Sequence, residues 1–286
     1  MMPRELLQQW LQRRLPQEAG AWLLDAARRV QSASGDSELL RAVSLVTRRI
    51  GKSDLSPTED ELRAAGAARA GWDPRDWSVD QAARIYLLLS MGTDGAVFLR
   101  RLDQLCVTAD VGELVAFYRG LPLYPDAPRY VLRAAEGVRT NMRAVFEAVA
   151  HRNPYPSEQL PEGAWNQMVL KALFVGSRLE PVIGLDARAN PALARMLCDY
   201  AHERWSAGRP VSPELWRCVG PFAAGDMLAD LKRVLDKGTP PERQAAALAL
   251  SRSRDAAAAE LLRSHADLAT AVREGRLNWR SLAPAN

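Results

Sequence analysis

The sequence predicts an all-α protein built as an irregular stack of helical hairpins, similar to an α-solenoid or HEAT-like array. Apolar residues recur at intervals of three and four positions, as in AWLLDAARRV and ELLRAVSLVTRRI. Strand patterns are nearly missing, because the short apolar piece LEPVIGLDA contains a glycine and is typical of a connection. No strict repeat period extends along the chain, so we expect about a dozen irregularly stacked helices.

The first segment, MMPRELLQQWLQRRLPQ, predicts an amphipathic helix. Its apolar side chains at helical spacing are Leu6, Leu7, Trp10 and Leu11. We favour packing of this face against the next helix over a position on a membrane surface. The segment lacks the apolar stretch of a signal peptide, and no window has the roughly 20 apolar residues that a spanning helix requires. We therefore expect a cytoplasmic protein.

Helix starts recur along the chain as hydroxyl or amide residues that can accept from a free backbone N–H. Capping boxes are predicted at 56–59, with Pro57 in the first turn, at 78–81 and at 239–242. Asn190-Pro191 and Ser212-Pro213 predict two further capped starts. A long helix is predicted from near Tyr130 to His151.

The C-terminal stretch TPPERQAAALALSRSRDAAAAELLRSHADLATAV predicts an alanine-rich helix, a polar turn and a second helix capped by Asp255. Alanine permits close approach of helices, as in a HEAT-type hairpin. We therefore predict a main domain over residues 1–237 and a HEAT-like hairpin with its tail over residues 238–286. The two regions can also pack as a single domain.

Composition narrows the classes of partner. The chain has 286 residues, of which 48% are hydrophobic and 25% charged, as is ordinary for a soluble globular protein. The net charge is +4, but the basic residues are spread among acidic ones, so we expect no nucleic-acid binding. Cys106, Cys198 and Cys218 form no CxxC pair and predict buried thiols rather than a disulfide framework or zinc ribbon.

The stretch NPYPSEQLPEGAWNQMVLKALFVG predicts a rigid proline loop followed by a helix that is apolar nearly all round. Such a helix should be buried, yet it contains Asn166, Gln167 and Lys171. Buried polar groups without partners cost roughly 1–3 kcal/mol each, so these side chains must bond to neighbouring backbone or to a ligand. We favour the neighbouring backbone. A buried Lys171 can also have a lowered pKa and act as a base or nucleophile.

The stretch DYAHERW places Asp199, His202 and Glu203 on one flank of a helix. A zinc protease requires His-Glu-x-x-His, but Ser206 stands at the last position, and a di-iron site requires a second carboxylate–histidine copy. We therefore predict no metal and no cofactor; the alternative, a metal held by His202 and the two acids, requires further ligands from distant residues. His202 is either a general base oriented by Asp199, or part of a polar seam in which Glu203 and Arg204 join neighbouring helices. We favour the seam.

Seven stretches together resemble the EboA-domain family of bacteria, over roughly residues 5 to 262. They are WSVDQAAR (77–84), TADVGELVAFYRGLPLYP (108–125), RAAEGVRTNM (133–142), NPYP (153–156), AWNQMVLKALFVG (164–176), GLDARANPALARML (184–197) and DYAHERWSAGRPVSPELWRCVGPF (199–222). The resemblance implies a gene cluster shared with a UbiA-like prenyltransferase, a TatD-like hydrolase, a sugar-isomerase-like barrel and a dehydroquinate-synthase-like protein. It also implies a role in secondary metabolism, including movement of a precursor out of the cytoplasm in cyanobacteria. It supplies no catalytic residues.

The resemblance is densest where polar residues interrupt apolar helices, which predicts one shared site. Its predicted lining is Asn141, Asn153, Asn166, Gln167, Lys171, Asp186, Arg188, Asp199, His202, Glu203 and Arg204.

Two functions are compatible with this site. We favour a cytoplasmic adaptor or binding protein for a metabolite precursor or for the other proteins of the cluster, with peripheral contact to a membrane or a membrane protein left open. The alternative is an enzyme acting on a small polar metabolite. In it His202 is the general base, Asp199 orients it, and Lys171 or Arg204 holds an anionic group. An enzyme requires a cavity at His202, whereas an adaptor requires an exposed apolar patch or groove.

Overall fold

A computed structural model describes residues 1–33 and 35–282 of the chain. Within these residues the protein forms 17 α-helices and no β-strand, which confirms the predicted all-α fold. An isolated bridge joins Asp54 to Ser78 just before one of the helices. The solenoid or HEAT-like arrangement of the helices stays a prediction.

The chain divides into two compact units, Met1–Pro161 and Glu162–Asn286. The helices of the first unit are α1 (Pro3–Arg14), α2 (Gln17–Ser32), α3 (Ser37–Ile50), α4 (Glu59–Ala68), α5 (Val79–Leu89), α6 (Gly95–Thr108), α7 (Val111–Arg119), α8 (Val131–Arg139), α9 (Arg143–Ala150) and α10 (Tyr155–Gln159). Those of the second unit are α11 (Glu162–Phe174), α12 (Pro191–Ser206), α13 (Trp216–Val219), α14 (Asp226–Lys237), α15 (Pro240–Leu250), α16 (Ala256–Arg263) and α17 (Ala266–Arg273).

Two of the three predicted capping boxes are confirmed. The backbone N–H of Ser78 donates to the Gln81 side chain at 3.2 Å, and that of Thr239 donates to Glu242 at 2.7 Å. Helix α12 also begins as predicted, because the side chain of Asn190 accepts from the backbone N–H of Leu193 at 2.8 Å.

The capping box predicted at 56–59 is wrong by two residues. Helix α4 is capped by Thr58, whose hydroxyl accepts from Glu61 N at 3.2 Å while the Glu61 side chain accepts from Thr58 N at 3.0 Å. Ser56 lies outside the helix with a φ of 45°. The acidic residue that closes the box is therefore Glu61 rather than Glu59, three positions after the true cap.

The single long helix predicted from Tyr130 to His151 is also wrong. The structure has two helices, α8 and α9, separated at Thr140–Met142. The Thr140 hydroxyl accepts from the backbone N–H of Met142 at 3.2 Å, a local bond that competes with continuation of the helix. His151 stands directly after α9 as its C-cap.

Helix α5 is the centre of the first unit. Its residues from Val79 to Leu88 are buried except Gln81, and it packs against α1, α2, α3 and α7. The four apolar residues predicted for one face of α1 are all buried, which confirms the packing interpretation of that face. The buried guanidinium of Arg84 pairs with Asp80 at 2.7 Å and donates to the Thr47 hydroxyl at 2.9 Å, so α5 is also joined to α3.

Helix α15 is the centre of the second unit. Its residues Ala245 to Leu250 are buried, and it packs against α13, α14, α16 and α17. A Cβ on Gly220 would lie 2.5 Å from the carbonyl oxygen of Ala249, so only glycine permits this approach to the alanine-rich helix. Asp255 caps α16 as predicted, accepting from Ala257 N at 2.8 Å.

The second helix predicted for the C-terminal hairpin is interrupted at Ser264 and His265, which separate α16 from α17. The division predicted between residues 237 and 238 stays a prediction. In the second unit α14 and α15 pack against each other across that point.

Among the described residues, no helix combines the length and the apolar character needed to cross a membrane.

Candidate functional site

The residues predicted to line one site are distributed over both units. Asn141 and Asn153 belong to the first unit, and the other nine belong to the second. Asn141 is exposed between α8 and α9, whereas Asn153 is buried. The shared site itself stays a prediction, so each residue is described with its own neighbours.

The sequence predicts that helix α11 is buried on all sides, but one of its faces is exposed. Trp165, Asn166 and Met168 are buried, but Gln167 is exposed and Phe174 is 73% exposed. Gln167, Lys171 and Phe174 are spaced four and three residues apart, so they lie on one face of the helix, and that face is not packed in the core. Burial of part of the Lys171 side chain lowers the pKa of its amine.

Asn166 bonds to the residue that caps the next helix. Its side-chain amide donates to Asn190 Oδ1 at 3.2 Å, and the amide of Asn190 donates back to Asn166 Oδ1 at 2.8 Å. The buried amide is thus satisfied within the protein, but by the side chain of Asn190 rather than by the neighbouring backbone that the sequence predicts. Near it, the guanidinium of Arg188 lies over the ring of Trp165 at 4.8 Å, and burial lowers the pKa of Arg188.

Asp186 and Arg217 form a two-point ion pair. Nε of Arg217 donates to Asp186 Oδ1 at 2.7 Å, and Nη2 donates to Oδ2 at 2.8 Å. The hydrogen bond from Arg217 holds the pKa of the Asp186 carboxyl below its usual value. This pair connects the loop before α12 to α13.

The carboxylate next to His202 is Asp230 of α14 rather than the predicted Asp199. His202 Nε2 lies 2.7 Å from Asp230 Oδ1, and the histidine side chain is 51% exposed. Asp199 and Glu203, on the same helix, are exposed. The predicted orienting role of Asp199 is therefore wrong, because the fold brings the carboxylate from another helix.

Trp205 joins α12 to the same neighbouring helix. The guanidinium of Arg233 lies over its ring at 4.2 Å, and the ring of Trp216 stacks on it at 5.8 Å. Nε of Arg204 donates to the carbonyl oxygen of Pro210 at 3.0 Å, in the loop that follows α12. The seam of DYAHERW thus consists of His202 and Trp205, rather than of the predicted Glu203 and Arg204.

The three cysteines are free thiols. Burial raises the pKa of Cys106 to about 11 and those of Cys198 and Cys218 to about 12, so all three are protonated at neutral pH. A protonated thiol is a poor nucleophile and a poor metal ligand. Over residues 1–33 and 35–282, no three His, Cys, Asp or Glu side chains come close enough to hold a metal ion.

A polar cavity of about 160 Å³ lies in the first unit, where the start of α5 meets the ends of α7 and α9. We call it the arginine cavity. It is lined by Asp73, Asp76, Trp77, Arg119, Glu147, His151, Arg152 and Asn153.

The loop after α9 holds Arg152 in an unusual backbone conformation. Arg152 has a φ of 47°, in the left-handed region, which costs a non-glycine residue about 1–2 kcal/mol. The next residue, Asn153, fixes this loop, because its amide donates to the carbonyl oxygens of Tyr118 and Ala148 at 3.0 Å each and its Oδ1 accepts from Tyr155 N at 3.0 Å. In this conformation Nε of Arg152 donates to Asp76 Oδ2 at 2.6 Å.

The carboxylates of the arginine cavity already have arginine partners. Arg75 pairs with Asp73 at 2.7 Å, Arg143 with Glu147 at 2.8 Å and Arg152 with Asp76 at 2.6 Å. With Arg119 the cavity and its immediate partners include four arginines and three acids, a net charge of +1 with histidine neutral.

The two arginines that line the cavity keep unused hydrogen-bond donors. Arg119 donates through Nη1 to the Asp76 carbonyl oxygen at 2.6 Å and to the Gln81 side chain. Its Nε and Nη2, and both Nη atoms of Arg152, donate to no residue in the described part of the chain. Burial lowers the pKa of Arg119, and the charge of Arg152 lowers it further. An anion beside both guanidiniums would offset the repulsion between them.

Of the residues that line the arginine cavity, the sequence predicted only Asn153 as a site residue. The lining of the cavity comes from segments far apart in the chain, and no local spacing connects Arg119 to Arg152. One signal was available, because three stretches that carry the family resemblance, 77–84, 108–125 and 153–156, each contribute a lining residue.

The fold and the cavity define an all-α protein with a small polar cavity in which two arginines face paired acids. The model of the EboA family, described as metabolite traffic protein EboA, matches residues 3–220. The chain therefore belongs to the EboA family, and the family gives it a metabolite-related role. Searches of curated proteins and of solved structures found no match.

Proposed function

We propose that this protein is a non-enzymatic binding protein that holds the anionic group of a metabolite in the arginine cavity. One observation carries the proposal: the acids of the cavity are paired, while Arg119 and Arg152 keep unused donors. Guanidinium groups bind carboxylate and phosphate oxygens through charge-assisted hydrogen bonds, which are about twice as strong as neutral ones.

The volume of the cavity limits the ligand. At roughly 30 Å³ per water molecule, 160 Å³ has room for about five waters. This is smaller than the roughly 300–1,000 Å³ that encloses a drug-sized ligand. The cavity suits a carboxylate or phosphate group with a few further atoms, either as a small metabolite or as one end of a larger one.

As part of this proposal, the protein is a cytoplasmic adaptor that presents the metabolite, or a precursor of it, to the other proteins of the gene cluster. The enzyme alternative places the chemistry at His202. That imidazole is half-exposed and pairs with Asp230 on the surface of the second unit, where nothing excludes water from a reaction. We therefore favour binding over catalysis.

The test is native mass spectrometry of the protein purified gently from its own host. Wild-type protein should carry one small anionic molecule per chain, and Arg152→Asn should lose it. Asparagine tolerates the left-handed conformation of residue 152, so this variant removes the guanidinium without adding backbone strain. Arg195→Gln, an exposed position on α12, serves as the matched control and should keep the molecule.

Two results would contradict the proposal. If wild type, Arg152→Asn and Arg195→Gln carry the molecule at equal occupancy, Arg152 does not hold the ligand. A molecule that is retained in Arg152→Asn but lost in His202→Ala would place the site on α12 and support the enzyme alternative.

A further inference from the structure

The first unit contains a second cavity, of about 450 Å³, between the start of α1 and the end of α5. We call it the apolar cavity. Its apolar walls include Met2, Leu89, Leu123 and Pro125, and it shares no lining residue with the arginine cavity. Its volume lies within the range of roughly 300–1,000 Å³ that is typical of small-molecule sites.

One basic side chain, Arg4, lines this cavity and has an unsatisfied donor. Nε of Arg4 is buried and has no hydrogen-bond partner, although the guanidinium lies 5.8 Å from the centre of the Tyr86 ring. An unsatisfied buried donor on a charged group is unfavourable, so an anion beside the guanidinium would stabilise Arg4 electrostatically.

Two other polar groups of the cavity are already engaged, and the side chains of Gln31 and Thr93 are exposed and uncharged. The Glu5 carboxylate accepts from the backbone N–H of Met2 at 2.9 Å, and the Ser90 hydroxyl donates to the Tyr86 carbonyl oxygen at 2.8 Å. Arg4 is therefore the group that selects for charge, and the remaining wall selects for apolar surface.

We propose that the apolar cavity binds a molecule with an apolar chain and a single anionic group. The anionic group pairs with the guanidinium of Arg4, and the chain lies along Leu89, Leu123 and Pro125. This site is separate from the arginine cavity and takes a different class of ligand, because its wall is mainly apolar.

The test is isothermal titration of the full-length protein with butyrate, hexanoate, octanoate and decanoate. Each added methylene should tighten binding about three- to fourfold, so decanoate should bind on the order of a thousandfold more tightly than butyrate. 1-Decanol, which has the same chain without the charge, should bind at least about tenfold more weakly than decanoate.

Three variants locate the binding. Arg4→Gln should remove the preference for decanoate over 1-decanol, and Thr93→Trp, an exposed position at the rim, should weaken both ligands at least about tenfold. Arg41→Gln, an exposed position on α3, is the matched control and should bind as wild type does.

A flat dependence on chain length would overturn the proposal, as would decanoate binding that neither Arg4→Gln nor Thr93→Trp weakens. Loss of decanoate binding in Arg152→Asn would also overturn it, because the ligand would then occupy the arginine cavity. That last variant separates failure of this inference from failure of the proposed function.

Discussion

Asp186 and Arg217 show what one ion pair contributes to the second unit. The pair is bidentate, but the Asp186 side chain is 47% exposed, so solvent screens much of its energy. We expect Asp186→Asn to lower the free energy of unfolding by about 1 kcal/mol at pH 7. Urea denaturation followed by circular dichroism measures this difference.

The same pair predicts a pH dependence with a definite sign. Because the folded protein holds the pKa of Asp186 below its usual value, the stabilisation is complete above the unfolded pKa of about 3.9. It is lost as the pH falls from there through the folded pKa. The difference between wild type and Asp186→Asn should therefore be constant from pH 7 to 5 and shrink below about pH 4. A difference that persists undiminished at pH 2 would contradict this assignment.

At the scale of single residues, the sequence identified polar positions but not their partners. Asn166 was singled out, and its partner Asn190 is 24 residues away; His202 was singled out, and Asp230 is 28 residues away. Residues three and four apart are neighbours on one helix, which is why Asp199 was assigned to His202. Contacts between helices are not encoded in that spacing.

Asn190 joins two elements, and its loss should cost more than an ordinary helix cap. Asn190→Ala removes the acceptor for Leu193 N, worth about 1 kcal/mol, and leaves the buried amide of Asn166 unpaired, at about 1–3 kcal/mol. We expect a total loss of about 2–4 kcal/mol in the free energy of unfolding, measured by urea denaturation.

Asp255→Ala is the matched control for this prediction. Asp255 caps α16 through Ala257 N and contacts no second buried amide, so its loss should cost only about 1 kcal/mol. Equal losses in the two variants would mean that the Asn166–Asn190 pair adds nothing to the cap.

The start of a helix was predictable where the capping residue bonds to a residue two or three positions further along the chain. This is so at Ser78, Asn190 and Asp255. Helix boundaries were missed where two candidates compete, as at Ser56 and Thr58. They were also missed where a threonine hydroxyl ends a periodic apolar pattern, as at Thr140. Periodicity continues through such a break, because the apolar faces on both sides of it enter the same core.

The division into two units predicts how fragments of the chain behave. Residues 1–161 have their own core around α5 and should fold alone, with a cooperative thermal transition by circular dichroism. A fragment of residues 1–237 lacks α15, which supplies the buried Ala245–Leu250 face of the second unit. Limited proteolysis should therefore trim that fragment back to about residue 161.

This experiment also tests the domain boundary that the sequence predicts at residue 237. If the fragment of residues 1–237 resists proteolysis as well as the full chain does, the predicted boundary is supported. In that case the helices before residue 237 fold stably without α15.

At the scale of the whole molecule, the sequence by itself determined the all-α class, several helix starts, the buried face of α1 and the family. These properties depend on apolar periodicity, on capping within three or four residues and on stretches read in order along the chain. Only the tertiary structure decided that Gln167 and Phe174 are exposed, that Asp230 meets His202, and that Arg119 and Arg152 share a cavity. The physical reason is that burial and ion pairing depend on which surfaces meet, and these surfaces come from helices separated by tens of residues.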